Sequence, residues 1–342
     1  MTHLDLVTSN GKSEVYIGGE IHEVISRFDK NKTVVLADEN FLRFHAGKFS
    51  GFTLVSVGSG EQAKTMDQAV KLYHKLLELE VDRSWSIIGA GGGIATDLSG
   101  FVASTFLRGI PFGFVSTTLL GQVDAAIGGK NGVNLEGFKN MVGLIRQPEF
   151  VICDIDSLST LPEREFLGGF AEIIKYGAIR DRSFFEYLDK NIEKGIAKDA
   201  FVLEKMIFES VKNKIEVVQS DENEMGERKT LNFGHTFAHA FEKLYRIPHG
   251  EAVSLGMVLA ARLSVKMGLL NEDDSFKLEH MIARCGLPVR YDFDSEAIAE
   301  AMKKDKKRAG EEISFILLDS IGKAVIRRIP VNNLKSMLYD LR

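Results

Sequence analysis

The chain has 342 residues, 44% of them hydrophobic and 27% charged, and this length predicts about two domains rather than one core. The net charge of −5, with no basic tail, excludes nucleic acid and anionic membrane as first partners, because both need a clustered positive face. No basic-then-apolar leader opens the chain, no apolar run nears the ~20 residues of a membrane span, and Cys153 and Cys285 form no CxxC, so a cytoplasmic protein is expected.

Thr33–Asp38 (TVVLAD) and Ser84–Ala90 (SWSIIGA) read as buried parallel strands, being short apolar runs ending in small or acidic residues. Between them, Glu61–Leu79 has helical periodicity through Met66, Ala69, Val70, Tyr73, Leu76 and Leu77. Ile110–Thr118 reads as a further strand, which completes an α/β pattern with a parallel sheet. Beyond about Asp156 helices dominate: Arg164–Ile179, Ala200–Gln219, Thr230–Tyr245, Glu251–Met267 and Ser275–Cys285. Glu251–Met267 is apolar nearly all round and is expected at the centre of a core. The C-terminal stretch ISFILLDSIGKAVIRRI predicts a hairpin turning at Ser320–Gly322. The domains are therefore expected at residues 1–155 and 156–342.

Three stretches carry chemistry. GAGGGIATD (Gly89–Asp97) follows a predicted strand and precedes a helix. Glycines there allow a phosphate close to the backbone at a helix N-terminus, although a strict GxGxxG fails, ending in Ile94 or Thr96. Asp38, at a strand end, suits a ribose. The small, polar run Ser116–Asn140 contains Asp124, Lys130, Lys139 and Asn140. It is not a phosphate-binding loop of the GxxxxGK[ST] kind, since Asn131 follows the Gly–Lys; it reads either as an exposed loop or as a cradle for an anion. Finally, Gly234–Glu251 (GHTFAHAFEKLYRIPHGE) holds His235, His239 and His249. His235, His239 and Glu242 share a polar helix face opposite Phe233, Phe237 and Phe241. The stretch HTFAH lacks the glutamate of HExxH, and Glu172 in the apolar GFAEIIKYG offers a further carboxylate, with Lys175 one turn on. Spacing alone does not choose between His235/His239 and His235/His249 as a metal-binding pair.

With these motifs in order, namely ADEN, GEQ, GGGIATDLSGF, STTLLGQVDAAIGGKNGVN, FKN, GGFAEIIKYG, LNFGHTFAHA, HGEAV and DKK, the chain resembles the 3-dehydroquinate synthases from about Ala37 to Lys307. The resemblance implies an N-terminal α/β Rossmann-like NAD-binding domain and an all-α C-terminal metal-binding domain. It implies Glu172, His235 and His249 as ligands of a divalent metal, zinc or cobalt, with His239 taking part in proton transfer. NAD falls to Asp38, Gly60, Glu61, Lys64, Gly92, Gly93, Asp97, Thr117, Thr118, Lys130, Lys139 and Thr160. Substrate contacts fall to Asp124, Lys130, Lys139, Asn140, Lys175, Lys214, Arg228 and Asn232, with Lys306 or Lys307 added. Arg108 corresponds to an arginine reaching a neighbour's site, which implies a homodimer. Thr96 and Ser59 stand where many relatives have glycine and aspartate.

The implied reaction converts 3-deoxy-D-arabino-heptulosonate 7-phosphate to 3-dehydroquinate. It proceeds by transient oxidation at C5, phosphate elimination, re-reduction and aldol closure, with no net redox. A polyol dehydrogenase dependent on NAD and metal is the nearest alternative, but it has no phosphate to expel and no need of the lysines. A sister sugar phosphate cyclase is the other, against which Arg228 and Asn232 suit a carboxylate-bearing substrate.

Overall fold

A computed structural model describes residues 1–19, 21–136, 138–303, 308–309 and 311–341; Lys306 and Lys307 lie outside the described residues. Contacts divide the chain into two units. One comprises residues 1–166 with 214–223, the other 167–213 with 224–342.

In the first unit, the two-residue turn Ser9–Asn10 closes the antiparallel hairpin of β1 (Thr2–Thr8) and β2 (Gly11–Ile17). The β-branched run Thr33–Asp38 forms β3, followed by β4 (Thr53–Gly58), β5 (Ser86–Gly91), β6 (Phe112–Ser116) and β9 (Phe150–Cys153). The seven-stranded sheet has the order β1-β2-β9-β6-β5-β3-β4, and all its pairings except β1–β2 are parallel. Period-2 geometry sends Val35, Ala37, Ile88, Ala90, Val115 and Ile152 to one face, where they pack on Ile21, Val24 and Ile25 of α1 (Ile21–Ile25) and on Phe41 of α2 (Glu39–His45). Helix α4 (Gly93–Thr105) runs along β5 and β6, beside α3 (Met66–Glu78).

The expected helix over Glu61–Leu79 is shorter than its periodicity. Glu61–Ala63 is a 3₁₀ turn, and Thr65 caps α3 through a bond from the Gln68 amide. The polar run after β6 is not a plain loop. Gly121–Ala125 forms a π-turn, and Lys130–Leu135 (β7) pairs with Phe138–Ile145 (β8) as a second hairpin.

The second unit contains α5 (Glu163–Ile179) from Leu167 on, α6 (Arg182–Ile196), α7 (Ala200–Ser220) as far as Asn213, α8 (His235–Tyr245), α9 (His249–Lys266), α10 (Glu272–Arg284), α11 (Ser295–Lys303) and α12 (Leu334–Tyr339). Helix α9 is buried along most of its length and packs on α8, α10 and a three-stranded sheet of β10 (Arg308–Ala309), β11 (Glu312–Ser320) and β12 (Lys323–Pro330). The second unit is thus helical but not all-α: the apolar alternation of β11 pairs it with β12 in a sheet among the described residues, and their hairpin turns where the sequence places it. The expected helix over Thr230–Tyr245 breaks at Gly234, where φ is +79°; a 3₁₀ turn over Glu227–Asn232 precedes the break.

The end of α7, residues 214–220, belongs with the first unit, and Glu222 just beyond it is an anchor there. It is 8% exposed and accepts hydrogen bonds from Ser9 Oγ (2.7 Å) and Gln147 Nε2 (3.2 Å). Desolvation alone would raise its pKa, but bonds from Ser9, Thr8, Gln147 and Asn10 outweigh it and hold the carboxyl at about 2. A depressed carboxyl stabilises the fold above its unfolded value of 4.5, and that contribution is lost as pH falls through about 2. Glu222→Gln is therefore expected to cost about 1–3 kcal/mol at neutral pH. Melting curves of the two proteins should converge as pH is lowered through this window; a gap independent of pH would refute the anchor.

Candidate functional site

Two sets of residues emerge, one in each unit. In the first, the chain winds from β3 outward to β4 and then returns to β5 on the other side of β3. The carboxyl ends of β3 and β5 therefore flank a topological switch point, where open parallel sheets bind ligands. Asp38 ends β3, Gly92 and Gly93 begin α4 after β5, Gly60 and Glu61 follow β4, and Thr117 and Thr118 follow β6. The cap residue of α4 is Gly92, which has no side chain to bond the helical amides that follow it, and such an amino end suits an anion. Asp38 is already engaged: Oδ1 accepts from the Phe41 amide (2.7 Å) and Oδ2 from the Gly92 amide (3.2 Å). Its carboxylate thus braces α2 and the glycine turn as well as facing the crevice. Thr160 bonds His45 Nε2 at 2.8 Å.

Lys64 is buried and bonds Asp97 and, at 2.5 Å, Asn140 Oδ1. Asn134 joins the network, accepting from the Asn140 amide (2.9 Å) and donating to Glu61 (2.7 Å). Lys139 precedes Asn140 near the hairpin turn, whereas Lys130 lies at the hairpin's other end, paired with Ile145. Lys214 pairs with Asp124. Arg108 lies in a 3₁₀ turn just beyond α4, which stops at Thr105. It is exposed, with Leu107 and Arg108 both left-handed (φ 51° and 67°), a conformation that costs roughly 1–2 kcal/mol per residue and concentrates at functional sites.

In the second unit, Glu172 on α5 is fully buried, and burying a lone carboxylate would be costly. Lys175 pairs with its Oε2. Its Oε1 lies 3.5 Å from His235 Nε2 and 3.3 Å from His249 Nε2. Ligands bound at about 2.1 Å around a tetrahedral ion lie about 3.4 Å apart. The donor set of two imidazoles and one carboxylate, all ligand atoms within 4.8 Å of one another, therefore fits a zinc-like cation. His239, whose ring centre is 5.9 Å from that of His235, is not in this group. The His249 side chain is 34% exposed; its desolvation lowers the pKa, but bonds to Glu172 and Glu242 prevail and raise it to about 10. A divalent cation would replace that proton. Arg228 is buried in the 3₁₀ turn before α8, and Asn232 donates to Glu224 (2.6 Å). A second cluster, His3, Asp5 and Glu14, already holds a cation of its own in Lys12, at 3.1 Å from Asp5 and 3.5 Å from Glu14.

Glycine contacts bring Glu172, His235 and His249 together. A Cβ at Gly250 would overlap the carbonyl of Gly168, which sets the start of α9 against α5. A Cβ at Gly256 would overlap the carbonyl of Gly234, which sets α9 against the start of α8. The sequence reading missed these contacts, since nothing local distinguishes a packing glycine from a flexible one. It also gave no role to Glu242, although the residue stands on the same polar face as His235.

An α/β unit and a helical unit of this kind make up the fold of solved sugar phosphate cyclases. A crystal structure of 2-deoxy-scyllo-inosose synthase, complexed with carbaglucose-6-phosphate, NAD+ and Co2+, matches with a TM-score of 0.88 at 24% identity over 99% of this chain and 100% of that one. Residues 54–168 match the model for the 3-dehydroquinate synthase N-terminal domain, and residues 169–308 that for the C-terminal domain. The chain belongs to the 3-dehydroquinate synthase family. The 3-dehydroquinate synthase of Halorhodospira halophila is 44% identical over 80% of this chain and 78% of its own length, and that of Thermoanaerobacter pseudethanolicus is 38% identical over 98% and 100%.

Gly256→Ala tests the contact between α8 and α9. It is expected to cost about 3 kcal/mol by overpacking and to lower the melting temperature, whereas Gly47→Ala, with open space around the added methyl, should stay within about 0.5 kcal/mol. Equal melting temperatures for the two variants would show that the helices can spread at no cost.

Proposed function

We propose that the protein converts 3-deoxy-D-arabino-heptulosonate 7-phosphate to 3-dehydroquinate and phosphate, as a carbon–oxygen lyase that uses NAD and a divalent cation. The observation that carries this reading is the match to a 3-dehydroquinate synthase over 98% of this chain and all of the relative. When bound, NAD would take and return a hydride, and zinc or cobalt would make the substrate hydroxyl more acidic.

Glu172, His235 and His249 would hold the cation. Asp38, Gly60, Glu61, Lys64, Gly92, Gly93, Asp97, Thr117, Thr118, Lys139 and Thr160 would hold the dinucleotide, with the amino end of α4 toward its phosphates. Lys130 and Arg108 suit the phosphate that leaves, while Arg228 and Lys214 suit the carboxylate and adjacent hydroxyls. Asp124, Asn140, Lys175 and Asn232 orient the substrate, and His239 takes part in proton transfer. Catalysis on this reading is orientation plus charge stabilisation. No helix among the described residues is long and apolar enough to cross a membrane, and the two buried free thiols suit a reducing cytoplasm.

The direct test supplies the protein with zinc, the heptulosonate phosphate and NAD well below the substrate concentration. Phosphate and dehydroquinate should appear in equal amounts over many turnovers per NAD, without NADH accumulating. NADH formed in proportion to product would instead mark a dehydrogenase.

The homodimer is tested separately, since the strained, exposed Arg108 is proposed to act on the neighbour's substrate. Arg108→Ala and Lys130→Ala should each be badly impaired alone, through contacts that strengthen as charge develops on the leaving phosphate. After subunit exchange, one site of a mixed dimer carries both lesions and the other neither, so activity should return to about half that of a wild-type dimer. No recovery in verified mixed dimers would place Arg108 in its own chain's site.

A further inference from the structure

Both imidazoles of the three-residue centre are tied on the side of the ring away from Glu172. His235 Nδ1 lies 3.1 Å from the Phe233 carbonyl oxygen, and His249 Nδ1 lies 2.8 Å from Glu242 Oε1. A carbonyl oxygen only accepts, and so does an ionised carboxylate. Nδ1 of each ring therefore carries a hydrogen, and Nε2 is turned toward Glu172.

The two tethers differ in kind. That of His235 is local, two residues back along the chain, and the His235 side chain is 11% exposed. His249 is the first residue of α9, follows Pro248 and is 34% exposed, so packing alone holds it less firmly. Its tether is a charged group from a different helix, and the Glu242 side chain is itself 9% exposed.

We infer that Glu242 is a positioning residue for the metal centre, which fixes the ring orientation of His249 and strengthens it as a ligand. Outer carboxylates of this kind typically change metal affinity 10–100-fold, because they set the tautomer and increase electron density at the ligating nitrogen. The inference rests on the metal reading of Glu172, His235 and His249. It assigns Glu242 no contact with substrate or cofactor.

The test uses the full-length protein, stripped of metal and titrated with Co2+ by visible absorption and with Zn2+ against a chromophoric chelator. Wild type should take up one ion per chain, and His235→Ala should lose it. Glu242→Gln, which keeps the shape and removes the charge, should bind both ions 10–100-fold more weakly, with an altered Co2+ spectrum. Its affinity for NAD should be unchanged. His239→Ala, on the same helix face, should bind metal as wild type does. Wild-type affinity and spectrum in folded Glu242→Gln would overturn the inference and leave the metal reading intact. If wild type takes up no ion, or His235→Ala binds as well as wild type, the metal reading fails and the role of Glu242 falls with it. Should Glu242→Gln not fold, Glu242→Ala serves in its place. Added formate, filling the vacated carboxylate position, should then recover part of the lost affinity, and wild-type affinity without formate would overturn the inference.

Discussion

The helical unit depends on one constraint: side chains from three helices must place their donor atoms within a few ångströms of one another. Packed helix axes ordinarily lie 8–10 Å apart. Here the glycine pairs Gly168–Gly250 and Gly234–Gly256 let backbones touch. Each ligand stands within a turn of one of these glycines. Glu172 is four residues after Gly168, on the same face of α5; His235 follows Gly234; His249 precedes Gly250. No long lever separates the contact from the donor atom, so the geometry of the centre is set by the closest packing in the unit. The burial of α9 along most of its length follows from the same demand, since it presents a ligand at its first residue and a packing glycine two turns later.

Cations in this protein are kept beside carboxylates. Lys64 is held by Asp97, Lys214 by Asp124 and Lys175 by Glu172, and all three lysines are buried. A buried ammonium without a partner would be strongly destabilising. The carboxylates therefore let the lysines exist, charged, in the folded protein.

Much of this is legible in the amino-acid order, and what is not has specific reasons. The strand at Thr33–Asp38, the glycine turn and the buried helix near Glu251 follow from composition and period, because each is decided by neighbours in sequence. The β1–β2 hairpin carries a local signal in Ser9 and Asn10 with Gly11 behind them, residues that favour a turn. Helix α6 carried another, with Asp181 as its cap and Phe184, Phe185, Leu188 and Ile192 on its buried face. The β7–β8 hairpin could not be read from alternation, since Lys130, Lys139, Asn140 and glycines interrupt it; it is held by long-range bonds such as that from Lys64 to Asn140. Gly234 breaks a helix whose periodicity continues across it, for a reason that lies on α9. The choice between His239 and His249 is invisible to spacing, because the deciding neighbour, Glu172, is 77 residues from His249.

The division of the chain has a consequence for its synthesis on the ribosome. The first unit is not finished when Phe166 leaves the exit tunnel, because residues 214–223 complete it. More than forty residues of the helical unit emerge in between, a delay of some seconds at roughly 5–20 residues per second. Through that interval Asp124 lacks the ammonium of Lys214, and the β1–β2 turn lacks the carboxylate of Glu222. All seven strands of the sheet have emerged by then, and these two contacts are what the nascent unit still lacks. The two halves are consequently a poor pair to separate by gene splitting at residue 166: a cut there strands a closing segment of one unit on the other's polypeptide.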